Sequence, residues 1–264
     1  MVFKRMLSAF GAGAPSIGTF LATARTQPGG TLSGEVRLKG GAFDAEIEQI
    51  GLGLVARLEP AREGAEQRGV EEFSRAQITG PATLCQGEER TIEFQIAVPW
   101  ETPISEIGGR RMTGLALGVR TEVASARAVD KGALDMVGVR PVPSQLRVLQ
   151  AFPELGFHFK SAVLQAGRLA GVRQALPFYQ EIEFYPPSRH AGAVHEIELA
   201  FVASSAGLEV ILEADKHTGR YASGVATGRF QLSHAEALRT DWPSEVDRWL
   251  ARLAHHARGD DHRR

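Results

Sequence analysis

The sequence predicts a mainly β protein built from two antiparallel β-sandwich domains and closed by a C-terminal amphipathic helix. Three observations predict it. Short stretches alternate apolar and polar residues with period two, as strands with one wet face do. Clusters of Gly and Pro punctuate them, and helix signals are sparse across positions 30 to 235. At 264 residues the chain is long enough for two ordinary domains with full hydrophobic cores.

Taken in order, "MVFKRMLSAFGAGAPSIGTFLATA" opens the chain. Lys4 and Arg5 precede an apolar-leaning run, as in an export signal, but Ser8, Gly11, Gly13, Pro15, Ser16 and Gly18 dilute it. Phe3, Met6, Leu7 and Phe10 suit one short amphipathic turn packed on the body, and no stretch approaches the ~20 apolar residues of a membrane span. "QPGGTLSGEVRLKGG" reads as turn, strand and turn, with Val36 and Leu38 inward and Glu35, Arg37 and Lys39 outward. The strand over Ala45 to Glu59 carries Gly51 and Gly53, which suit a bulged or closely packed strand; the turn and helix of a dinucleotide fingerprint are missing. Residues 60 to 72 are polar and glycine-spotted, as a solvated, mobile hairpin loop would be.

"RTIEFQIAVPWETPIS" places Ile92, Phe94, Ile96 and Val98 on one face and stops at Pro99 and Pro103, which cannot donate to a ladder. Trp100 at that corner suits sealing the end of a sandwich. "TGLALGVRTEVASA" sets Leu115, Leu117, Val119 and Val123 inward against Arg120 and Glu122 outward. Pro141 and Pro143 then mark the domain junction. The expected division is 1–143, an N-terminal sandwich; 144–240, a C-terminal sandwich; and 241–264, an amphipathic helix with a disordered charged tail.

"SQLRVLQAFPELG" has the pattern of a short helix, and "FYQEIEFYP", "HEIELAFVA" and "GLEVILEAD" then alternate as half-exposed antiparallel strands. "PSEVDRWLARLAHHA" carries Val246, Trp249, Leu250, Leu253 and Ala257 at helical spacing, with Ser244 and Asp247 as its capping box. Such a helix docks on its own protein or presents Val246, Trp249, Leu250 and Leu253 to a partner.

Charge and chemistry narrow the function. Lys plus Arg number 30 and Asp plus Glu 31, and the balance is local, with 16 basic against 17 acidic residues up to position 143. No field of one sign gathers nucleic acid or anionic lipid. The single Cys85 excludes an intrachain disulfide and cannot alone make a thiolate zinc site. His255 and His256 are adjacent and point about 100° apart on a helix. His190 with His195, and Asp215 with His217, match no ligand spacing. No nucleophile elbow or phosphate loop is present. Glu181, Glu183, Glu196 and Glu198 are the one arrangement in which paired acids could hydrolyse a glycoside, although acids on a wet sheet face also keep it soluble. No catalytic residue, cofactor or metal ligand is assigned.

In their order, "TLSGEVRLKGG", "IEQIGLGLVARLE", "RTIEFQIAVPWETPIS" and "GVRTEVASARAVDKGALDMVGVRPVP" resemble the N-terminal half of the bacterial sporulation-control protein family, a stage-zero sporulation regulator of arrestin-like type. "LQAFPELGFHF", "PFYQEIEFYP" and "HEIELAFVASSAGLEVILEADK" are similar to its C-terminal β-sandwich, and the first residues to its short opening helix. The resemblance spans roughly positions 1 to 225. It implies a cytoplasmic, non-enzymatic regulatory or scaffold protein that controls sporulation or differentiation by binding other proteins. Sheet edges, the groove between the domains and the C-terminal helix are its expected docking surfaces, with neither nucleic acid nor membrane as partner and homo-oligomerisation left open. The alternative is an exported carbohydrate-binding or carbohydrate-cleaving β-sandwich.

Overall fold

A computed structural model of the chain describes residues 5–6, 13–58, 70–125, 129–191, 194–218 and 222–260. Along the chain come β1 (Arg5–Met6), β2 (Ser16–Leu21), β3 (Arg25–Thr26), β4 (Thr31–Lys39), β5 (Ala45–Ile47), β6 (Gln49–Leu58), β7 (Val70–Thr79), β8 (Ala82–Leu84) and β9 (Glu89–Ala97). The hairpin β10 (Glu106–Ile107) and β11 (Arg110–Arg111) precedes β12 (Leu115–Ala124), β13 (Val129–Met136) and β14 (Gly138–Val139). Then follow α1 (Pro143–Glu154), β15 (His158–Ala166), β16 (Phe178–Tyr185), β17 (Val194–Ala203), β18 (Gly207–Thr218), β19 (Ala222–Ser233), α2 (His234–Arg239) and α3 (Trp242–Asp260). The chain divides into two compact units, Met1–Ser105 with Leu115–Arg140, and Glu106–Gly114 with Pro141–Arg264.

The first unit is a sandwich of two four-stranded antiparallel sheets, β1-β2-β4-β9 and β13-β12-β6-β7. Alternation sets its core: Val36 and Leu38 of β4, Phe94 and Ile96 of β9, and Leu115, Leu117, Val119 and Val123 of β12 are buried. Thr19 and Thr121 share a 2.5 Å hydrogen bond between the layers. The Gln27–Gly30 turn closes one end, with Gly30 N–H donating to Gln27 O at 3.0 Å. Gly29 sits at φ +70°, and a Cβ there would lie 2.3 Å from the Trp100 ring. Trp100 therefore packs on bare backbone, which is how it seals this end after β9 stops before Pro99.

Several sequence expectations change in this unit. Where a short N-terminal helix is expected, Arg5 and Met6 pair as a strand with Ile17 and Ser16; the rest of that segment lies outside the described residues. The expected loop over 60 to 72 falls mostly outside them too, and Val70–Glu72 already belong to β7. Arg120 and Glu122 do not face open water. Glu122 is buried, and its carboxylate meets Arg75 at 2.5 Å while Glu72 meets Arg75 at 2.7 Å and Arg120 at 3.3 Å. Gly53 makes room for this network, because a Cβ there would stand 2.6 Å from the Glu72 carboxylate.

The second unit is an antiparallel meander, β15-β16-β17-β18-β19, joined by the β10–β11 hairpin. Ile182, Leu199, Leu212 and Gly228 stand in one cross-strand row on its inner face. Helices cover that face where a second sheet is expected. Phe152 of α1 stacks on Phe184 with ring centroids 4.2 Å apart, and Trp242 meets Phe230 edge-on at 5.4 Å. A Cβ on Gly228 would approach Trp249 to 2.6 Å. The physical reason lies in α1 and α3, whose apolar stripes supply the large side chains that a facing sheet would otherwise contribute.

The start of α3 is fixed by a side-chain cap. Asp241 caps α3, accepting from Ser244 N–H at 3.3 Å and from the Ser244 hydroxyl at 2.7 Å. The cap therefore precedes the expected Ser244–Asp247 box, with Pro243 in the first turn, where its missing N–H costs nothing. The helix continues to Asp260, past the expected end at Ala257. Residues 261–264 of the charged tail lie outside the described residues.

Candidate docking groove

A groove of about 460 Å³ opens on the second unit. Its construction starts at the end of α1. Gly156 takes φ +84°, and its N–H donates to Pro153 O at 3.0 Å while Phe157 N–H reaches Phe152 O at 2.9 Å. This paired pattern is the glycine-terminated Schellman ending of a helix, and its usual apolar contact is present as the edge-on pair Phe152–Phe157 at 5.7 Å. The turn reverses the chain into β15, so Phe157, Phe159 and Phe184 line the groove beside Leu146, Leu149 and Pro153 of α1.

The remaining wall is the β10–β11 hairpin, with Ile107 and Met112 turned to the groove. Gly108 and Gly109 form its two-residue turn at φ +58° and +81°, the pair of left-handed positions that favours Gly-Gly in tight hairpins. Arg110 and Arg111 are exposed at the rim, and neither joins an ion pair among the described residues. Phe159 is 40% exposed, unusually open for a large apolar side chain beside an apolar cleft. The sequence carried a signal for the hairpin in "EIGGRR", a Gly-Gly pair between short extended runs. It carried none for the groove, whose walls come from three separate segments.

The other face of the five-stranded sheet holds the acids considered above. Glu183 pairs with Glu198 and Glu198 with Glu213, giving a row of three carboxyls across β16, β17 and β18. Lys160 partly neutralises them, lying 3.0 Å from Glu183 and 2.5 Å from Glu196. The Ser161 hydroxyl donates to Glu183 at 2.5 Å, and Gln165 to Glu181 at 2.7 Å. Burial, reinforced by Glu181 and Glu196, pushes the Glu198 carboxyl up to about 7. Glu181 is raised as well, chiefly by burial, and the Tyr179 phenol is pushed up to about 12 for the same reason. Desolvation and like charge both disfavour the ionised form.

Other candidate groups are tied into the fold. Ser144 Oγ lies 2.7 Å from His234 Nδ1, and His234 Nε2 lies 2.8 Å from Ser204 O. With Nε2–H donating to that carbonyl, Nδ1 accepts the serine proton, so the pair latches α1 to the β17–β18 turn. His190 stacks on Phe157 and approaches Asp247 at 3.5 Å, and burial lowers its pKa. Among the described residues, no three acidic, His or Cys side chains are grouped to hold a metal. The side chains of Asp215, His217, His255 and His256 lie outside the description. Cys85 is exposed, and the Asp44 carboxylate raises its pKa, the direction opposite to that of an activated thiol.

Of the four expected partner-binding residues of α3, Val246, Trp249 and Leu250 are buried, at 0%, 4% and 2% exposure, and Leu253 is half-buried. Their apolar face is turned into the chain's own second unit, with Trp249 against Gly228 of β19. No helix among the described residues is long and apolar enough to cross a membrane.

Comparison with known proteins adds an independent line. The profile described as "SpoOM protein" matches residues 3–218. The chain belongs to this SpoOM family. Over 253 residues it is 29% identical to the sporulation-control protein spo0M of Bacillus subtilis strain 168, a match covering 92% of this chain and 95% of that one. The crystal structure of Spo0M, sporulation control protein, from Bacillus subtilis superposes with a TM-score of 0.75 at 26% identity, covering 91% of this chain and 99% of that one. The SpoOM fold here is mainly β and arrestin-like, as the resemblance in the sequence implies.

Proposed function

We propose that this SpoOM-family chain is a cytoplasmic, non-enzymatic regulator that acts on sporulation or a related differentiation step by binding other proteins. The observation that carries this reading is the near full-length match to a sporulation-control protein, which leaves little of either chain outside the alignment. The polar groups most suited to chemistry support it, because each has a structural task. Glu183 holds Ser161 and Lys160, Glu181 holds Gln165, and His234 links Ser144 to Ser204. The apolar groove with its arginine rim supplies what a binding protein uses instead.

The test is genetic and biochemical. Deleting the gene in its own host should alter the yield or timing of spores or of the equivalent resting cells. Proximity labelling from the restored chain should mark a reproducible set of cytoplasmic proteins. An unchanged differentiation programme together with labelling no richer than that of a free labelling enzyme would reject the proposal.

A further inference from the structure

We propose that the groove on the second unit receives an amphipathic helix of a protein partner, whose apolar side chains enter beside Phe159 and whose carboxylates meet Arg110 and Arg111. This deepens the reading of the chain as a protein-binding regulator and rests on it. Three features of the groove select that occupant over others.

The first is its lining. Phe157, Phe159, Phe184, Leu149 and Met112 offer no strong donor or acceptor from their side chains, and about 460 Å³ is ample for more than one large apolar side chain. Phe159 lies 40% open to water. Covering it removes apolar area from solvent at roughly 25 cal/mol per Å².

The second is the backbone around it. An extended peptide docks by adding to a free sheet edge. Here α1 bonds to itself, and β15, the outer strand of its sheet, offers only a broken edge: its register shifts between Phe159 and Ser161, and Thr113 crosses it at Ala162, whose N–H reaches Thr113 O at 3.4 Å. β10 and β11 are two residues long each, too short to template a strand. A segment that satisfies its own backbone, namely a helix, loses no hydrogen bonds on entering such a groove.

The third is charge. Arg110 and Arg111 occupy adjacent positions at the rim, both exposed. Both line the groove, so two neighbouring positive charges are offered to carboxylates spaced along one face of a helix. The remaining polar lining, Thr113 and Gln150, is uncharged. An acidic polar face on the incoming helix is thus favoured and a basic one is opposed.

The probes are two labelled 18-residue helical peptides with the same Leu/Phe face, one carrying Glu and the other Lys on its polar face. Each is titrated by fluorescence anisotropy into the full chain at low and at 0.5 M salt, and anionic phosphatidylglycerol vesicles form a third arm. The Glu peptide should bind at least tenfold more tightly than the Lys peptide, and weaken in high salt. Phe159→Ser, or Arg110→Glu with Arg111→Glu, should weaken it tenfold or more; these side chains are exposed, and unchanged melting of the variants confirms folding. Equal binding of both peptides, no binding of the Glu peptide, insensitivity to both variants, or binding to vesicles alone would each overturn the proposal. Proximity labelling with a chain that carries Phe159→Ser, Arg110→Glu and Arg111→Glu together separates this failure from a wider one. If the variant marks the same partners as the native chain, the groove assignment fails and the regulator reading stands; if the native chain marks none, the regulator reading itself fails.

Discussion

Gln174 shows how one side chain holds a long connection in place. It is buried, its Nε2 lies 3.0 Å from Gly167 O, 2.7 Å from Leu176 O and 3.0 Å from Phe178 O, and its Oε1 accepts from Leu169 N–H at 3.0 Å. Arg229 adds bonds to the carbonyls of Ala170 and Gly171. The loop is thereby pinned over Ala200, Val202 and Ile211, on which Leu169 and Val172 pack. Gln174→Ala removes four hydrogen bonds to backbone groups, two of them buried, and should cost about 1–3 kcal/mol, read as a lower urea midpoint at unchanged slope. Nothing in the local sequence marks this role. A glutamine between Arg173 and Ala175 in a stretch without periodicity looks like surface, because its partners are carbonyls that the fold alone brings together.

At the scale of elements, the carboxyl row across β16, β17 and β18 makes a prediction about pH. The Glu198 carboxyl titrates near 7 in the folded chain and near 4.5 when unfolded. Between those values the folded state holds a proton that the unfolded state releases, so stability falls as pH rises through that window. Below it both states are protonated and the penalty vanishes; above about 7 it is fully present. Glu198→Gln should therefore stabilise the chain at pH 8 by about 1–2 kcal/mol after allowance for water screening, and by much less at pH 4.5. Equal gains at both pH values in urea melts would refute this origin.

The acids themselves were visible in the alternation of "FYQEIEFYP" and "HEIELAFVA", but their alignment was not, since register depends on which strands pair. The same contrast runs through the other elements. β4, β9 and β12 have the inward residues that period two predicts. α3 is where helical spacing puts it, yet the spacing alone left two destinations open for Trp249, and the sheet beneath supplies the answer in Gly228. The helical layer was harder to anticipate because half-exposed strands look alike whether sheet or helix covers them.

For the whole molecule, the near-cancelling charges that set nucleic acid aside have a practical side. Net charge is −1 at pH 7 and the isoelectric point is about 6.7. Little mutual repulsion separates copies near that pH, so light scattering at fixed low ionic strength should show self-association greatest between pH 6 and 7 and falling on either side. A flat profile would mean that a specific interface, insensitive to net charge, governs assembly. The order of the chain has a further effect. It leaves the first compact unit at Glu106, contributes the Gly-Gly hairpin to the second, and returns at Leu115 to complete the first. Neither unit is one uninterrupted stretch of gene. Recombination at a single crossover near Pro141 would hand a new host a second unit stripped of its arginine-bearing wall, so inheritance of the groove requires both units to travel together.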